Sequence, residues 1–442
     1  LYFPYFLHLD ALPLRLWDES RLACNALEQY TDGFGVVIKF EGEPELWNTK
    51  PPLMIWVQAA LMHLLGPGEL AVRLPAAAAG MATSLLLFFK LKGRTGAAAA
   101  LILATLPGWA GLHGARTGDY DAPLVFCSTG FLMYFYDYLE RGKGLPAAAA
   151  FAAAGLLTKG VALALCVPGA VLAALVLRPR VFFQPRLYAA GAAALLPLTL
   201  YYLARESHDP GYLRAVWHNE LGGRYLSTLE NHDHPWYFYF VEMFGRRLSL
   251  WKFALVLGLL PLIPKIRNRF SNLRRSKYLW IASLTYLALI SGSQTKLVWY
   301  DLPIYPLWAG LIALGWTSLP GAAAWMVALG IAVPCYGYVV RSAYHPQEKY
   351  WDVELYALPR LLRQNPPRDY IAFGEYRQLV GFYAAVQGME HRSFRDEFRL
   401  GERILVSESR AWERLRQSYD VRLLEEKNGV KFVEIRGSRS ER

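Results

Sequence analysis

Carboxylates and lysines recur in this chain wherever a long apolar run breaks. Trp17-Asp18-Glu19 opens a helix-like stretch from Ser20 to Tyr30. A carboxylate there could take a proton from an acceptor hydroxyl, or merely be helix N-terminal charge favoured by the dipole; on chemistry alone Asp18 and Glu19 qualify equally. Asn48-Thr49-Lys50-Pro51-Pro52 directly precedes an apolar stretch, which puts Lys50 at a membrane surface, to hold a lipid phosphate as a point charge or to anchor the helix. The segment His113-Gly114-Ala115-Arg116-Thr117-Gly118-Asp119-Tyr120-Asp121 lies between two apolar runs. Asp121 opens the second, where it could cap the helix, act on substrate, bind a metal or orient another group. Lys159 interrupts an apolar stretch, where it could snorkel or bind substrate, and Lys296 precedes Leu297-Val298-Trp299-Tyr300-Asp301-Leu302-Pro303. Acids that can take a proton, with lysines that can hold a phosphate, point to transfer chemistry on a lipid-phosphate substrate.

A further polar segment runs from 205 to 236. It holds Trp217-His218-Asn219-Glu220, Arg224-Tyr225 and Asn231-His232-Asp233-His234. Histidines beside carboxylates raise a divalent metal site, but the spacing matches no sharp ligand motif. Arg246 and Arg247 could grip a phosphate bidentately or mark an interface.

The elements that must position these residues are membrane helices. Of 442 residues 54% are hydrophobic, and apolar stretches recur from about 70 to 341, the pattern of a polytopic membrane protein. Expected spans are 1–9 (the tail of a first helix), 69–89, 96–114, 121–139, 145–158, 160–177, 187–204, 249–264, 278–294, 297–317 and 320–341. Residues 53–65 form a shorter run that could lie along the interface. A single helix over 145–177 would far exceed a bilayer, so two short spans are expected, with Lys159 at their outer turn.

The loops alternate in charge. One set carries Lys90, Lys92 and Arg94; Arg141 and Lys143; Arg178, Arg180 and Arg186; and Lys265, Arg267, Arg269, Arg274, Arg275 and Lys277. That set is cytoplasmic by the positive-inside rule. Asp18, Glu19, Lys50, Asp119, Asp121, Lys159 and Lys296 then all fall on the external side, together with the C-terminal segment. The net charge of +11 is loop charge and implies no nucleic-acid partner. Cys24, Cys127, Cys166 and Cys335 include no C-x-x-C, which argues against a disulfide framework or zinc ribbon.

From about 342 the apolar runs stop. Strands are expected at 370–373, 403–406 and 421–424, with helices at 379–386 and 411–418. The expected organisation is a helical transmembrane domain, 1–341, with external loops 10–50 and 205–236, and a small soluble external α/β domain, 342–442.

In order and topology these motifs resemble the polytopic glycosyltransferases of the dolichyl-phosphate-mannose protein mannosyltransferase type, in the bacterial branch that includes aminoarabinose transferases acting on lipid A. The matching pieces are W-D-E-S-R-x-A at Trp17–Ala23, N-T-K-P-P-L at Asn48–Leu53, A-V-R-L-P at Ala71–Pro75, A-R-T-G-D-Y-D-A-P-L at Ala115–Leu124, L-L-T-K-G at Leu156–Gly160 and T-K-x-x-x-Y-D-L-P-x-Y-P at Thr295–Pro306. The resemblance covers residues 10–310 and implies a GT-C-like helical bundle, a sugar donor carried on polyprenyl phosphate and an inverting transfer at the external face. It implies a catalytic base at Asp18 and a donor-phosphate contact at Lys50. Glu19 and Asp121 stand as further catalytic candidates. Lys159, Lys296, Arg116, Tyr300 and Arg224 stand as substrate-binding candidates.

The expected location is a bacterial inner membrane with the site on the periplasmic side. The expected partners are the polyprenyl-phosphate sugar, a lipid, glycan or protein acceptor, and membrane lipids. No cofactor is required by the sequence, though a divalent metal is compatible with it. An inverting displacement needs a single base, and no G-x-G-x-x-G that would suit a nucleotide-sugar donor follows a strand. The alternative reading is a lipid-linked sugar transporter or flippase. Charges buried mid-helix and inverted repeats would favour it, but here the polar groups cluster at helix ends.

Overall fold

Side-chain contacts at the two ends of helix Asp121–Arg141 show how the bundle is threaded. At its first residue, Asp121 Oδ1 lies 2.6 Å from Lys159 Nζ. At its other end, the carbonyls of Tyr138 and Leu139 accept bonds from Arg178 at 3.2 and 2.9 Å. The chain therefore crosses the bundle once between Lys159 and Arg178. The expected reversal is present in this computed structural model, which describes all residues except 112, 222–232, 264–272, 349–352, 365 and 440–442. Helix Leu145–Lys159 stops at Gly160, whose φ of +57° lies in the left-handed region that favours glycine. A 3₁₀ stretch, Gly160–Cys166, and helix Val167–Leu177 lead back.

Among the described residues, four stretches are long and apolar enough to cross a membrane: Glu69–Leu91, Leu145–Leu177, Pro185–His208 and Gly321–Tyr344. Shorter apolar helices are Leu53–Leu65, Gly93–Ala104, Trp251–Leu262 and Ile304–Trp316. With helices Asp121–Arg141 and Leu273–Gly292, most of these enclose a core that includes Trp109, Tyr138, Trp251, Tyr278 and Tyr305.

Two expected spans are shorter than their apolar runs. The run 96–114 is helical only to Ala104. Thr105 bonds back to the carbonyls of Leu101 and Ile102, and Pro107 starts a separate four-residue helix. The run 297–317 begins its helix at Ile304. Leu297 is extended, Val298–Asp301 is a 3₁₀ turn and Pro303 is the N-cap. Both shortfalls leave irregular backbone at the same end of the bundle, where Pro107, Ala110 and Gly111 line one cavity and Leu297, Trp299, Tyr300 and Pro303 line another. Irregular backbone at that depth is tolerated only in such a place.

The first loop holds a helix, Asp18–Asp32, and a two-stranded hairpin, Lys39–Phe40 with Glu43–Pro44. The C-terminal region forms a five-stranded mixed sheet in the order His391–Arg392, Ile371–Phe373, Arg403–Val406, Val430–Ser438, Tyr419–Lys427. The first three strands run parallel, and the last two pair antiparallel. The expected strands and helices are present. Strand Val430–Ser438 and helix Val353–Gln364 were not expected.

The sheet domain docks on the first loop. Leu14, Ala23 and Ile38 share a core with Leu358, Leu379 and Tyr383. Leu14 N donates to Tyr383 Oη at 2.7 Å, and Leu16 N to Tyr356 Oη at 3.1 Å.

Candidate active site

Five of the nine expected site residues converge on one cavity of about 580 Å³ at one end of the bundle. Asp18, Lys50, Asp121, Lys159 and Tyr300 line it, along with Arg21, Asp119, Trp299 and Glu220. Its remaining wall is apolar, with Leu124, Val161, Leu165, Leu289 and Leu297 among the lining.

Asp18 is the first residue of its helix, and Trp17 precedes it at φ +73°. Its side chain is 54% exposed, and its nearest cationic neighbour is His113, with Nδ1 at 3.9 Å. His113 itself has φ +56°, stacks on Trp299 with ring centroids 3.6 Å apart, and bonds through Nδ1 to Asp119 Oδ2. Asp119 Oδ1 also accepts the Tyr120 N–H at 2.7 Å. Burial works to raise the Asp119 carboxyl, but the His113 charge and hydrogen bond, then Lys159, outweigh it and hold the group ionised. The same pair raises the His113 imidazole against the opposing pull of its own burial.

Asp121 and Lys159 form a buried ion pair at the cavity wall. Asp121 Oδ2 is buried and has no hydrogen-bond partner among the described residues. Lys50 Nζ lies 3.2 Å from Glu220 Oε1 and 5.6 Å from the centre of the Tyr120 ring. Asn48 secures that segment by donating to Tyr120 Oη at 2.9 Å and to Asn25 Oδ1 at 3.1 Å. Lys159 Nζ sits 5.8 Å from the Tyr300 ring, and Arg21 is held by Glu45 at 2.8 Å.

Three of the expected site residues are placed elsewhere. Glu19 is 1% exposed, turned away from the cavity and bound to Arg73 at 2.8 Å. Its oxygens also accept the N–H groups of Arg15 at 2.6 Å and Gly118 at 2.7 Å. Burial raises its carboxyl, and Arg73 with these two amides more than reverses that, holding it below the ordinary range. Gly118 can approach this closely because a Cβ there would meet Val72 side chain and backbone at 2.4 and 2.7 Å.

Arg116 points its guanidinium at the carbonyls of Pro4, Tyr5, Leu7 and His8 and does not line the cavity. Lys296 is buried beside the cavity, donating to Ser293 O at 2.5 Å, while its neighbours Thr295 and Leu297 form the lining. Arg224 lies outside the described residues.

The sequence assigns no role to His113, Arg21 or Trp299, and it raises Glu220 as part of a possible metal segment and not as a partner of Lys50. Arg21 was detectable, since it follows Asp18 by three positions and so shares its helix face. No local signal foretold the pairing of His113 with Trp299, which come together from distant segments.

The donor set for a cation is Asp18, His113 and Asp119, whose ligand atoms all lie within 4.8 Å of one another. One imidazole and two carboxylates suit a borderline or hard divalent ion. The 205–236 segment contributes none of the three. There His234 stacks on Phe238 at 4.1 Å, and Asp233 bridges to Thr295.

Fold and cavity together define a polytopic helical membrane protein, with its polar centre at one mouth of the bundle. The backbone is similar to crystal structures of ArnT from Cupriavidus metallidurans, both bound to undecaprenyl phosphate (TM-score 0.73) and in the apo state (TM-score 0.71). Each is 16% identical, with 96% of this chain and 94% of the other covered. Residues 49–202 match the family described as dolichyl-phosphate-mannose-protein mannosyltransferase. No curated protein sequence matches the chain.

Proposed function

We propose that the chain is an inverting glycosyltransferase, moving a sugar from a polyprenyl-phosphate donor to a hydroxyl of a lipid, glycan or protein acceptor. The observation that carries this reading is the makeup of one cavity. An exposed carboxylate with no Lys or Arg partner among the described residues, Asp18, opens onto the same space as Lys50, Lys159 and a long apolar wall. An apolar wall suits a polyprenyl chain. The lysines offset the charge that develops on the leaving phosphate, and Asp18 receives the acceptor proton as the new bond forms.

Asp121 holds Lys159 at 2.6 Å and so sets where that ammonium points. Glu220 occupies Lys50 in this structure, and a donor phosphate would take its place. A divalent cation held by Asp18, His113 and Asp119 would supply further positive charge for the phosphate. The membrane is taken as a bacterial inner membrane with this mouth facing the periplasm, an orientation supported by the basic residues Lys90, Arg94, Arg141, Arg178 and Arg186 in the loops of the other set. The ArnT structure bound to undecaprenyl phosphate supports the donor class.

The test is transfer by the purified full chain from a radiolabelled undecaprenyl-phosphate pentose or hexose to a lipid or glycan acceptor in detergent. Labelled product together with free undecaprenyl phosphate is expected. Movement of the lipid-linked sugar across a proteoliposome membrane without bond cleavage would sink this reading in favour of a transporter.

A further inference from the structure

A second cavity, of about 340 Å³, opens beside the first and shares no lining residue with it. The loop after the first helix, the 107–117 segment, the end of helix Val333–Tyr344 and the start of the C-terminal region form its walls. Arg15, Arg73 and Arg116 all line it, with His8 and His345. Among the described residues its one acidic lining residue, Glu348, is already paired with Arg360. Arg73 is neutralised by Glu19. Among those same residues the other two arginines meet no carboxylate: Arg116 reaches backbone carbonyls, and the Arg15 side chain makes no bond. Burial pushes the Arg116 guanidinium down to about 10, and the charges of Arg73 and Arg15 push it the same way. Positive charge gathered in a half-buried space without an anion is costly, and an arriving anion removes that cost.

The place of the cavity suggests what brings the anion. Tyr338, which lines it, and Tyr344, whose carbonyl bonds His8 at 2.8 Å, are 58% and 53% exposed near the end of the last membrane helix. Aromatic residues at such helix ends sit at headgroup level. Planar guanidinium groups match phosphate oxygens with two parallel bonds each.

We propose that this second cavity binds a phosphate group, carried by an anionic membrane lipid, with Arg15 and Arg116 as its ligands. Binding needs neither sugar donor nor acceptor, so it stands or falls apart from the transfer reaction.

The test uses the full chain in phosphatidylcholine nanodiscs, with phosphatidic acid as the probe and native mass spectrometry to count retained lipid. Saturable retention of phosphatidic acid over phosphatidylcholine is expected. Arg15→Ala should weaken it about tenfold, the size of one lost charge-assisted contact. Arg15→Ala with Arg116→Gln should abolish it. Arg15→Ala decides alone if the double variant does not fold, because no described contact depends on that side chain. Undiminished retention in Arg15→Ala, or equal retention of the two lipids, overturns the proposal. Inorganic phosphate binding that Arg15→Ala weakens, without any preference among lipids, would keep the phosphate ligand and overturn the lipid source.

Discussion

Two polar networks at one end of this bundle use the same residue types and end in opposite states. Under the C-terminal domain, Glu19 holds Arg73 and two backbone amides, while Glu69 accepts Tyr383 Oη at 2.6 Å and pairs with Arg363 at 3.0 Å. Both carboxylates there are well supplied with donors. A few residues away, the cavity leaves valences open. Among the described residues Asp18 has no Lys or Arg partner, Asp121 keeps an unpartnered buried oxygen, and Lys50 is held by Glu220 from the facing segment. A satisfied buried network rigidifies, whereas an incomplete one marks where a ligand is expected to complete it. Adjacent acids therefore do different work. Glu19 fixes the helix start against Gly118 and Arg73, and Asp18, carried on the same turn, is presented to the cavity.

The comparison breaks most sharply at Asp18. Asp18→Asn should cut transfer by about 10²–10⁴-fold, the range for loss of a general base, with the apparent Tm in detergent unchanged. Turnover close to that of the parent would remove Asp18 from the base role.

Glu19→Gln should do the reverse, lowering stability by roughly 3–5 kcal/mol because Arg73 is left buried without its counter-charge. The readout is thermal unfolding followed by tryptophan fluorescence. This contribution also has a pH signature. The Glu19 carboxyl is lower in the folded chain than its ordinary value of 4.5, so the stability it provides is complete above that value and is lost as pH falls through the folded value. The gap in Tm between parent and Glu19→Gln should accordingly narrow in acid, and a gap that widened would contradict the assignment.

Lys50→Ala should weaken donor binding about tenfold, as loss of one charged contact to phosphate, leaving Tm within a degree or two. Equilibrium binding of undecaprenyl phosphate decides this, and unchanged affinity would count against a phosphate contact. The smallest effect is expected at Tyr383→Phe, which removes bonds to Glu69 and to Leu14 N and should cost about 1–2 kcal/mol. Limited proteolysis at the junction of the two domains would register it as faster cleavage, and an unchanged rate would show that apolar packing alone holds the domain down.

Much of the site was legible because membrane helices advertise themselves. A lysine or aspartate that interrupts an apolar run has few places to be, and charge bias among the loops assigns those places to one side. That reasoning gathered Asp18, Glu19, Lys50, Asp119, Asp121, Lys159 and Lys296 at one face before any coordinates, and Asp18, Lys50, Asp119, Asp121 and Lys159 do line one cavity. It failed where a residue's partner is far away in sequence. Glu19 and Asp18 look alike in the chain, and what separates them is Arg73, 54 positions on. Arg116 looked like a ligand of the donor cavity within its motif, but it reaches the carbonyls after the first helix and lines the second cavity instead. The helix starting at Ile304 rather than 297 escaped notice because hydropathy counts apolar residues and not whether their backbone is helical.

By itself, then, the sequence determined where most of the apolar helices lie, the reversal at Gly160 and the residue types available for chemistry, since each follows from local composition and the cost of polar groups in lipid. Tertiary structure alone decided which of two neighbouring acids faces the cavity, that His113 stacks on Trp299 beside Asp119, and that the C-terminal sheet clasps the loop carrying Asp18. Those outcomes depend on contacts between segments tens to hundreds of residues apart, and no local pattern encodes which side chain will arrive to satisfy a buried charge.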